Sequence, residues 1–179
     1  MIVNSPLRAA VVVLSTGLIQ SPFGALAQPV NLAVGESITG PAVAIESDVL
    51  GINGTVMSLW GIEGPLKIQN CLLDNQNWDC GPIAHRELEI LVDQGVAICT
   101  RMADNSFRAQ ALFFVRCTVN GVDLSAEMVR RGMAMAYPDQ STDYIALQAE
   151  AEAADAGLWK AQIFEPPWVW EEARRNGDR

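Results

Sequence analysis

Four cysteines are the side chains of this sequence whose spacing most directly indicates a chemistry. Cys71 and Cys80 flank a turn-rich polar segment, whereas Cys99 and Cys117 end two β-rich runs around a second polar loop. Opposite positions in a hairpin bring Cβ atoms close enough for a disulfide, and an even cysteine count in an exported chain favours disulfides. We therefore expect the pairs Cys71–Cys80 and Cys99–Cys117.

A zinc site and a hydrolase triad are the alternative chemistries for these side chains. The Cys-x-x-Cys pair of many zinc sites is missing, and His85 is the only histidine. His85 stands beside Arg86 on the flank of a predicted helix, where we expect it to be solvated. No serine and acid are placed around it in the pattern of a catalytic triad. The cysteines are therefore interpreted as structural.

The N-terminal residues have the pattern of a cleaved export signal. Arg8 precedes an apolar run at 9–14, and residues 25–27 supply the small-x-small pattern that signal peptidase reads. Polar residues interrupt the run well short of the about 20 residues that a spanning helix needs. We expect a signal peptide at 1–27, a mature chain that begins at Gln28, no membrane span, and a periplasmic or secreted location.

The charge of the chain disfavours a polyanion as its partner. The sequence has 12 Lys and Arg against 21 Asp and Glu, and its formal net charge is −9. Nucleic-acid binding draws most of its non-specific affinity from basic side chains that neutralise phosphates. No cluster of Lys and Arg marks a basic groove in this sequence.

Strand and helix patterns fill the rest of the chain, with a leader at 28–41, one domain at 42–170 and a charged tail at 171–179. The Asn-Gly pair at 53–54 between apolar runs predicts a hairpin. The predicted strands are 42–45, 49–52, 55–62 and a hairpin over 96–119; the predicted helices begin near 81, 123 and 141, and 67–80 is predicted to be a loop. This order predicts an α+β, mainly β fold, in which a five-stranded Greek-key barrel carries three flanking helices.

Three segments then point to a known family. Residues 58–65 read S-L-W-G-I-E-G-P, residues 104–108 read D-N-S-F-R, and residues 123–137 begin with D-L and end with A-Y. In this order they resemble the R-L-x-G-I-D-x-P-E, D-x-Y-G-R and D-L-x-x-x-L-V-x-x-G-x-A-x-A-Y segments of the staphylococcal-nuclease (thermonuclease-like, SNase) family. The four cysteines also look like those of its exported bacterial members. The resemblance covers about residues 42–170 and implies an SNase-like OB-fold barrel.

The resemblance also implies a set of site residues. Family members hydrolyse DNA and RNA with one calcium ion, which two aspartates hold; a glutamate activates water and two arginines stabilise the phosphate. By position in the motifs, Asp48 keeps the first metal carboxylate and Glu63 replaces the second aspartate. Arg108 keeps the second phosphate arginine, and Tyr137 matches a tyrosine of the substrate pocket.

Two of the family's catalytic positions are changed. The catalytic glutamate falls on Leu66 and the first phosphate arginine falls on Ser58. A positioned general base contributes about 10²–10⁴-fold, and an arginine at a phosphoryl transition state about 10³–10⁵-fold. Lys67 or Arg101 could act as a replacement. The sequence therefore predicts a catalytically impaired nuclease.

The remaining site residues each have a structural alternative. Asp48 and Glu63 are equally well interpreted as solvated polar residues at strand ends or as a weak calcium site, and Arg108 as a surface-loop arginine. Four tryptophans are expected to pack in the domain or, where exposed, to contact a carbohydrate or a protein: Trp60, Trp159, Trp168 and Trp170.

The sequence thus favours an exported nuclease-like protein that acts without catalysis as an envelope binding or accessory protein. Its partner would be a protein or a glycan, since OB barrels host oligosaccharides as well as oligonucleotides. Exopolysaccharide (succinoglycan-type) biosynthesis is one specific hypothesis, which the resemblance alone suggests. A calcium-dependent endonuclease or phosphodiesterase with a rearranged site is the alternative, and a scaffold without a ligand is a third. We expect a monomer without a cofactor, or with weakly bound calcium under the alternative.

Overall fold

A computed structural model describes residues 31–103 and 113–177 of the chain. The predicted signal peptide, the 104–108 motif and Arg108 therefore lie outside the described residues. The strands are β1 (Ser37–Gly40), β2 (Ala42–Ala44), β3 (Val49–Ile52), β4 (Thr55–Leu59), β5 (Ile62–Glu63), β6 (Cys71–Leu73), β7 (Gln76–Trp78), β8 (Ala97–Ala103), β9 (Phe113–Val119), β10 (Val122–Asp123) and β11 (Met135–Ala136). The helices are α1 (Cys80–Val92), α2 (Leu124–Arg130), α3 (Ile145–Ala153) and α4 (Pro167–Arg175), with a 3₁₀ turn at Gly157–Lys160.

Seven strands form one mixed sheet. Its order is β1-β8-β9-β4-β3-β2, and β10 pairs with β9. The pair β4–β9 is parallel, whereas the other pairs of this sheet are antiparallel. The two edge strands, β1 and β2, are separated along the chain by Pro41 alone.

Apolar residues alternate along the strands, so that one face of this sheet lines the hydrophobic core. Leu50, Ile52, Met57 and Leu59 of β3 and β4 are fully buried. Helices α1 and α2 contribute the apolar side of each helix to the same cluster, with Leu88 of α1 among the residues that are fully buried. Burial of such a side chain contributes about 1.5–3 kcal/mol, so the sheet–helix interface holds the domain together.

Both predicted disulfides are confirmed. Cys99 and Cys117 are directly opposite each other in the β8–β9 pair and are bonded. Cys71 and Cys80 join the start of β6 to the start of α1. The turn prediction at 53–54 also holds, because Asn53 and Gly54 have φ values of 50° and 80° between β3 and β4.

The α+β, mainly β prediction is confirmed, but the number of elements differs. The sheet has seven strands instead of five, and the described residues contain four α-helices instead of three. The predicted leader contributes β1, and the last helix extends to Arg175, past the predicted domain end. The predicted loop at 67–80 contains the β6–β7 hairpin, whose turn residues Asp74 and Asn75 have φ values of 52° and 58°.

The exposure predicted for His85 is wrong. The side chain lies on the face of α1 that meets the sheet and is buried. Its Nε2 is 3.4 Å from the carbonyl oxygen of Ala44, and its Nδ1 is 3.9 Å from a carboxylate oxygen of Glu89. These polar neighbours explain how the imidazole can be buried. None of the helices in the described ranges is long and apolar enough to cross a membrane.

Candidate functional site

Two chain segments that carry the candidate metal acids are packed against each other. The buried Ser47 hydroxyl donates a 2.6 Å hydrogen bond to the carbonyl oxygen of Pro65. A Cβ on Gly64 would overlap the Ser47 side chain, so only glycine fits at this contact. Beside it, the Lys67 amide donates a 2.9 Å hydrogen bond to the Glu46 carboxylate. The segment at 46–48 therefore runs along the segment at 63–67.

Asp48 and Glu63 are each one residue away from this contact, and both are buried. Their exposed fractions are 4% and 3%. Each makes at least one polar or electrostatic interaction, as burial of a carboxylate requires. Asp48 comes directly before β3, where its carbonyl accepts a 2.7 Å hydrogen bond from Leu59, and Glu63 ends β5 opposite Met135. The interpretation of these acids as solvated strand-end residues is wrong.

A calcium cage needs more oxygen ligands than these two carboxylates supply. Well-formed calcium sites gather six to eight oxygens. Across residues 31–103 and 113–177, no group of three or more His, Cys, Asp and Glu is placed to hold a metal. A calcium ion at this site would therefore need oxygen ligands beyond these two carboxylates.

The two changed catalytic positions are part of the packed framework. Ser58 is 2% exposed and lies in β4 between Val49 of β3 and Phe114 of β9. Leu66 is half-buried, and its carbonyl accepts a 2.8 Å hydrogen bond from the Gln69 amide at a tight turn. Leu66 has no acid–base group, and the neutral Ser58 hydroxyl supplies no positive charge for a phosphate.

Arg101 and Lys67, the two cations considered as replacements for the lost catalytic groups, have different surroundings. The Arg101 guanidinium donates to the carbonyl oxygens of Ala103 and Leu32 and lies 4.8 Å over the Phe113 ring. These contacts bind the Arg101 side chain to its own strand β8, to the leader segment and to β9. Lys67 is exposed next to Leu66.

Tyr137, the residue matched to the substrate pocket, is covered by the C-terminal helix. Its amide donates a 2.9 Å hydrogen bond to the carbonyl oxygen of Gly61, which places it beside β5. Its ring lies 5.6 Å from the ring of Trp168 in α4. Trp168 therefore packs in the domain, as expected. Trp60 does so as well, because its ring contacts Phe114 edge-on with 6.3 Å between the ring centroids. No local pattern indicates that α4 reaches Tyr137, because the contact joins segments distant in the chain.

A second polar cluster, around Asp123, was missed by the sequence analysis. Asp123 caps α2 by accepting a 3.2 Å hydrogen bond from the Ala126 amide. Its other carboxylate oxygen accepts a 3.0 Å hydrogen bond from the Tyr144 hydroxyl and lies 3.8 Å from Arg116 Nε. Arg116 also pairs with Asp143. Burial, reinforced by the Asp123 charge, raises the pKa of Tyr144 to about 12.

No protein-family model matches the chain, and no curated protein matches it significantly. The likeness to the staphylococcal-nuclease family therefore remains a resemblance that the motifs carry.

Proposed function

We propose that the protein is an exported, non-catalytic binding protein built on an SNase-like OB barrel. The order of the strands supports the barrel. Strands β2, β3 and β4 form a meander, β9 runs parallel to β4, and β8 follows β9 in the sheet. The edge strands β1 and β2 are consecutive along the chain with Pro41 alone between them, and this short connection between opposite edges of the sheet supports a barrel-like arrangement.

One observation carries the non-catalytic part of the proposal. The position matched to the water-activating glutamate holds Leu66, whose side chain has no acid or base. Loss of a positioned base costs about 10²–10⁴-fold in rate. Ser58 removes a phosphate cation as well. The net charge of −9 adds repulsion of a polyanionic substrate.

The proposed location is the periplasm or the medium. Two disulfides are typical of chains that fold in an oxidising compartment, and the N-terminal pattern is that of an export signal. A partner in the cell envelope, either a protein or a glycan, is consistent with both. An accessory role in exopolysaccharide production is the specific form that the resemblance suggests.

Restoring the family residues tests this proposal. The triple variant Leu66→Glu, Ser58→Arg, Glu63→Asp regains a base, a phosphate cation and the shorter metal ligand. We expect it to gain calcium-dependent cleavage of single-stranded DNA, measured by release of a fluorescent end label. Adding Arg108→Ala to the triple variant should abolish the gain, because the second of the two phosphate arginines is then lost.

Circular dichroism and thermal melting first establish that the triple variant is folded, since Ser58 is buried. A wild-type protein as active as the folded triple variant would refute the non-catalytic proposal. A folded triple variant without activity would instead contradict the SNase-like arrangement of the site.

A further inference from the structure

A pocket of about 250 Å³ lies between the β6–β7 hairpin and helix α4. Its floor is a row of residues from three adjacent segments. Asn77 of β7 is opposite Leu72 of β6, and Leu72 forms a β-bridge with Ile163 on its other side. Phe164, Glu165 and Trp170 supply further lining from the C-terminal part of the chain.

Three links hold the walls of this pocket in place. The Cys71–Cys80 disulfide fixes the base of the hairpin to α1. Leu72 donates and accepts backbone hydrogen bonds with the 162–163 segment, at 2.8 Å to the Ile163 carbonyl oxygen and 2.9 Å from the Gln162 amide. The buried Gln69 side chain donates a 2.8 Å hydrogen bond to the carbonyl oxygen of Glu165. A pocket with fixed walls binds without first paying an ordering cost.

The polar groups of the pocket suit hydroxyl ligands. Asn70 and Asn77 are exposed, and each side-chain amide offers both donors and an acceptor, as a row of hydroxyl groups requires. The Glu165 carboxylate accepts hydrogen bonds only. None of the described residues that line the pocket is positively charged. A phosphate, sulfate or carboxylate ligand would meet no cation among these lining residues, and the Glu165 carboxylate among them disfavours an anion.

The apolar groups of the pocket suit a C–H face. Phe164 is partly exposed, and its ring is fixed edge-on against Trp159 at 5.2 Å. Trp170, Leu72 and Ile163 extend this apolar surface. A sugar ring combines the two chemistries, because it has a hydroxyl rim around C–H faces that pack on apolar and aromatic side chains.

The size of the pocket limits what it encloses. Pockets for drug-sized ligands are about 300–1,000 Å³, so one of about 250 Å³ suits a single ring. We propose that this pocket binds one neutral sugar residue of an extended glycan. The inference deepens the proposed function by naming a ligand class, and it rests on that proposal only in taking the protein to be a binding protein.

Titration with defined oligosaccharides tests the pocket directly. The probes are cellohexaose, laminarihexaose and maltohexaose, with hexagalacturonate as the anionic comparison. Side-chain amide signals of Asn70 and Asn77 are followed in ¹H–¹⁵N NMR spectra, and affinities come from the shift curves. We expect at least one neutral hexasaccharide to shift these signals in a saturable way and to bind at least tenfold more tightly than hexagalacturonate.

Variants connect the binding to the pocket. Asn77→Ala should weaken binding about tenfold by removing one hydrogen-bonding group. Asn176→Ala, at an exposed asparagine that does not line the pocket, is the matched control and should leave the affinity unchanged. Absence of shifts with all three neutral probes, tighter binding of hexagalacturonate, or wild-type affinity in Asn77→Ala would each overturn the inference. Such a failure leaves the non-catalytic proposal intact, whereas DNA cleavage by the wild type would reject that proposal and leave the pocket result standing.

Discussion

Replacing Tyr144 with phenylalanine isolates the hydrogen bond at the centre of the Asp123 cluster. The hydroxyl donates to Asp123 at 3.0 Å, and the ring is 3% exposed. A hydrogen bond to a charged acceptor contributes about 1.5–3 kcal/mol. Asp123 keeps the Ala126 amide and Arg116 in the variant, so it is not left without partners. We therefore expect Tyr144→Phe to lower the free energy of unfolding near neutral pH by about 1.5 kcal/mol.

The same hydroxyl makes the stability difference dependent on pH. The pKa of Tyr144 is raised from 10.0 to about 12 in the folded protein. Below pH 10 the hydroxyl is protonated in both states, and the full contribution of the hydrogen bond is present. As the pH rises from 10 toward 12, the unfolded chain loses the proton first, so the free energy of unfolding of the wild type falls. Two pKa units correspond to about 2.7 kcal/mol, which solvent screening at the exposed edge of the cluster reduces to about 1–2 kcal/mol.

Urea unfolding, followed by tryptophan fluorescence at pH 7, 10 and 11.5, measures both effects. The stability gap between the wild type and Tyr144→Phe should be largest at pH 7 and should narrow above pH 10, since phenylalanine has no proton to lose. Tyr137→Phe is the control variant, because it removes the hydroxyl of the other tyrosine and keeps the ring that packs on Trp168. A gap that stays constant or widens with pH would refute the account of this cluster.

Three further outcomes follow from the structure. Gly157→Ala should lower the free energy of unfolding by at least about 2 kcal/mol in urea melts, because φ is +54° and a Cβ would overlap the Gly132 carbonyl. Gly35→Ala is the control, because φ is +86° there and the space around it is open. It should lower the free energy of unfolding by less, and an equal loss in both variants would contradict the overlap. Calorimetry should find at most weak calcium binding, whereas low-micromolar affinity lost in Asp48→Ala would revive the nuclease alternative. Mass spectrometry of exported protein should show Gln28 as the first residue, and an intact Met1 in a membrane fraction would contradict the export prediction.

Local patterns allowed much of the fold to be predicted. The Asn53-Gly54 turn and the alternation of apolar residues around it specify the β3–β4 hairpin. The cysteine spacing specified both disulfides because each pair closes a short segment. The predicted helix start near residue 123 agrees with α2, which Asp123 caps, because a short acidic side chain before an apolar helical run is a local signal.

The missed features depend on contacts between distant segments. The β1 and β7 strands are short and carry polar residues, and their pairing with β8 and β6 is what makes them strands. His85 was expected to be solvated because its burial depends on the packing of β2 against α1. The hydrogen bond from Tyr144 to Asp123 spans 21 residues, and the contact of Tyr137 with Trp168 depends on where α4 docks. Sequence spacing alone carries no information on such contacts.

Cleavage of single-stranded DNA by the wild-type protein tests the central claim most directly. The assay uses purified mature protein, an end-labelled oligonucleotide and millimolar calcium at alkaline pH. With Leu66 at the water-activating position and Ser58 at the phosphate position, we expect no cleavage above a buffer blank. Calcium-dependent cleavage by the wild type that disappears in Asp48→Ala would contradict the account.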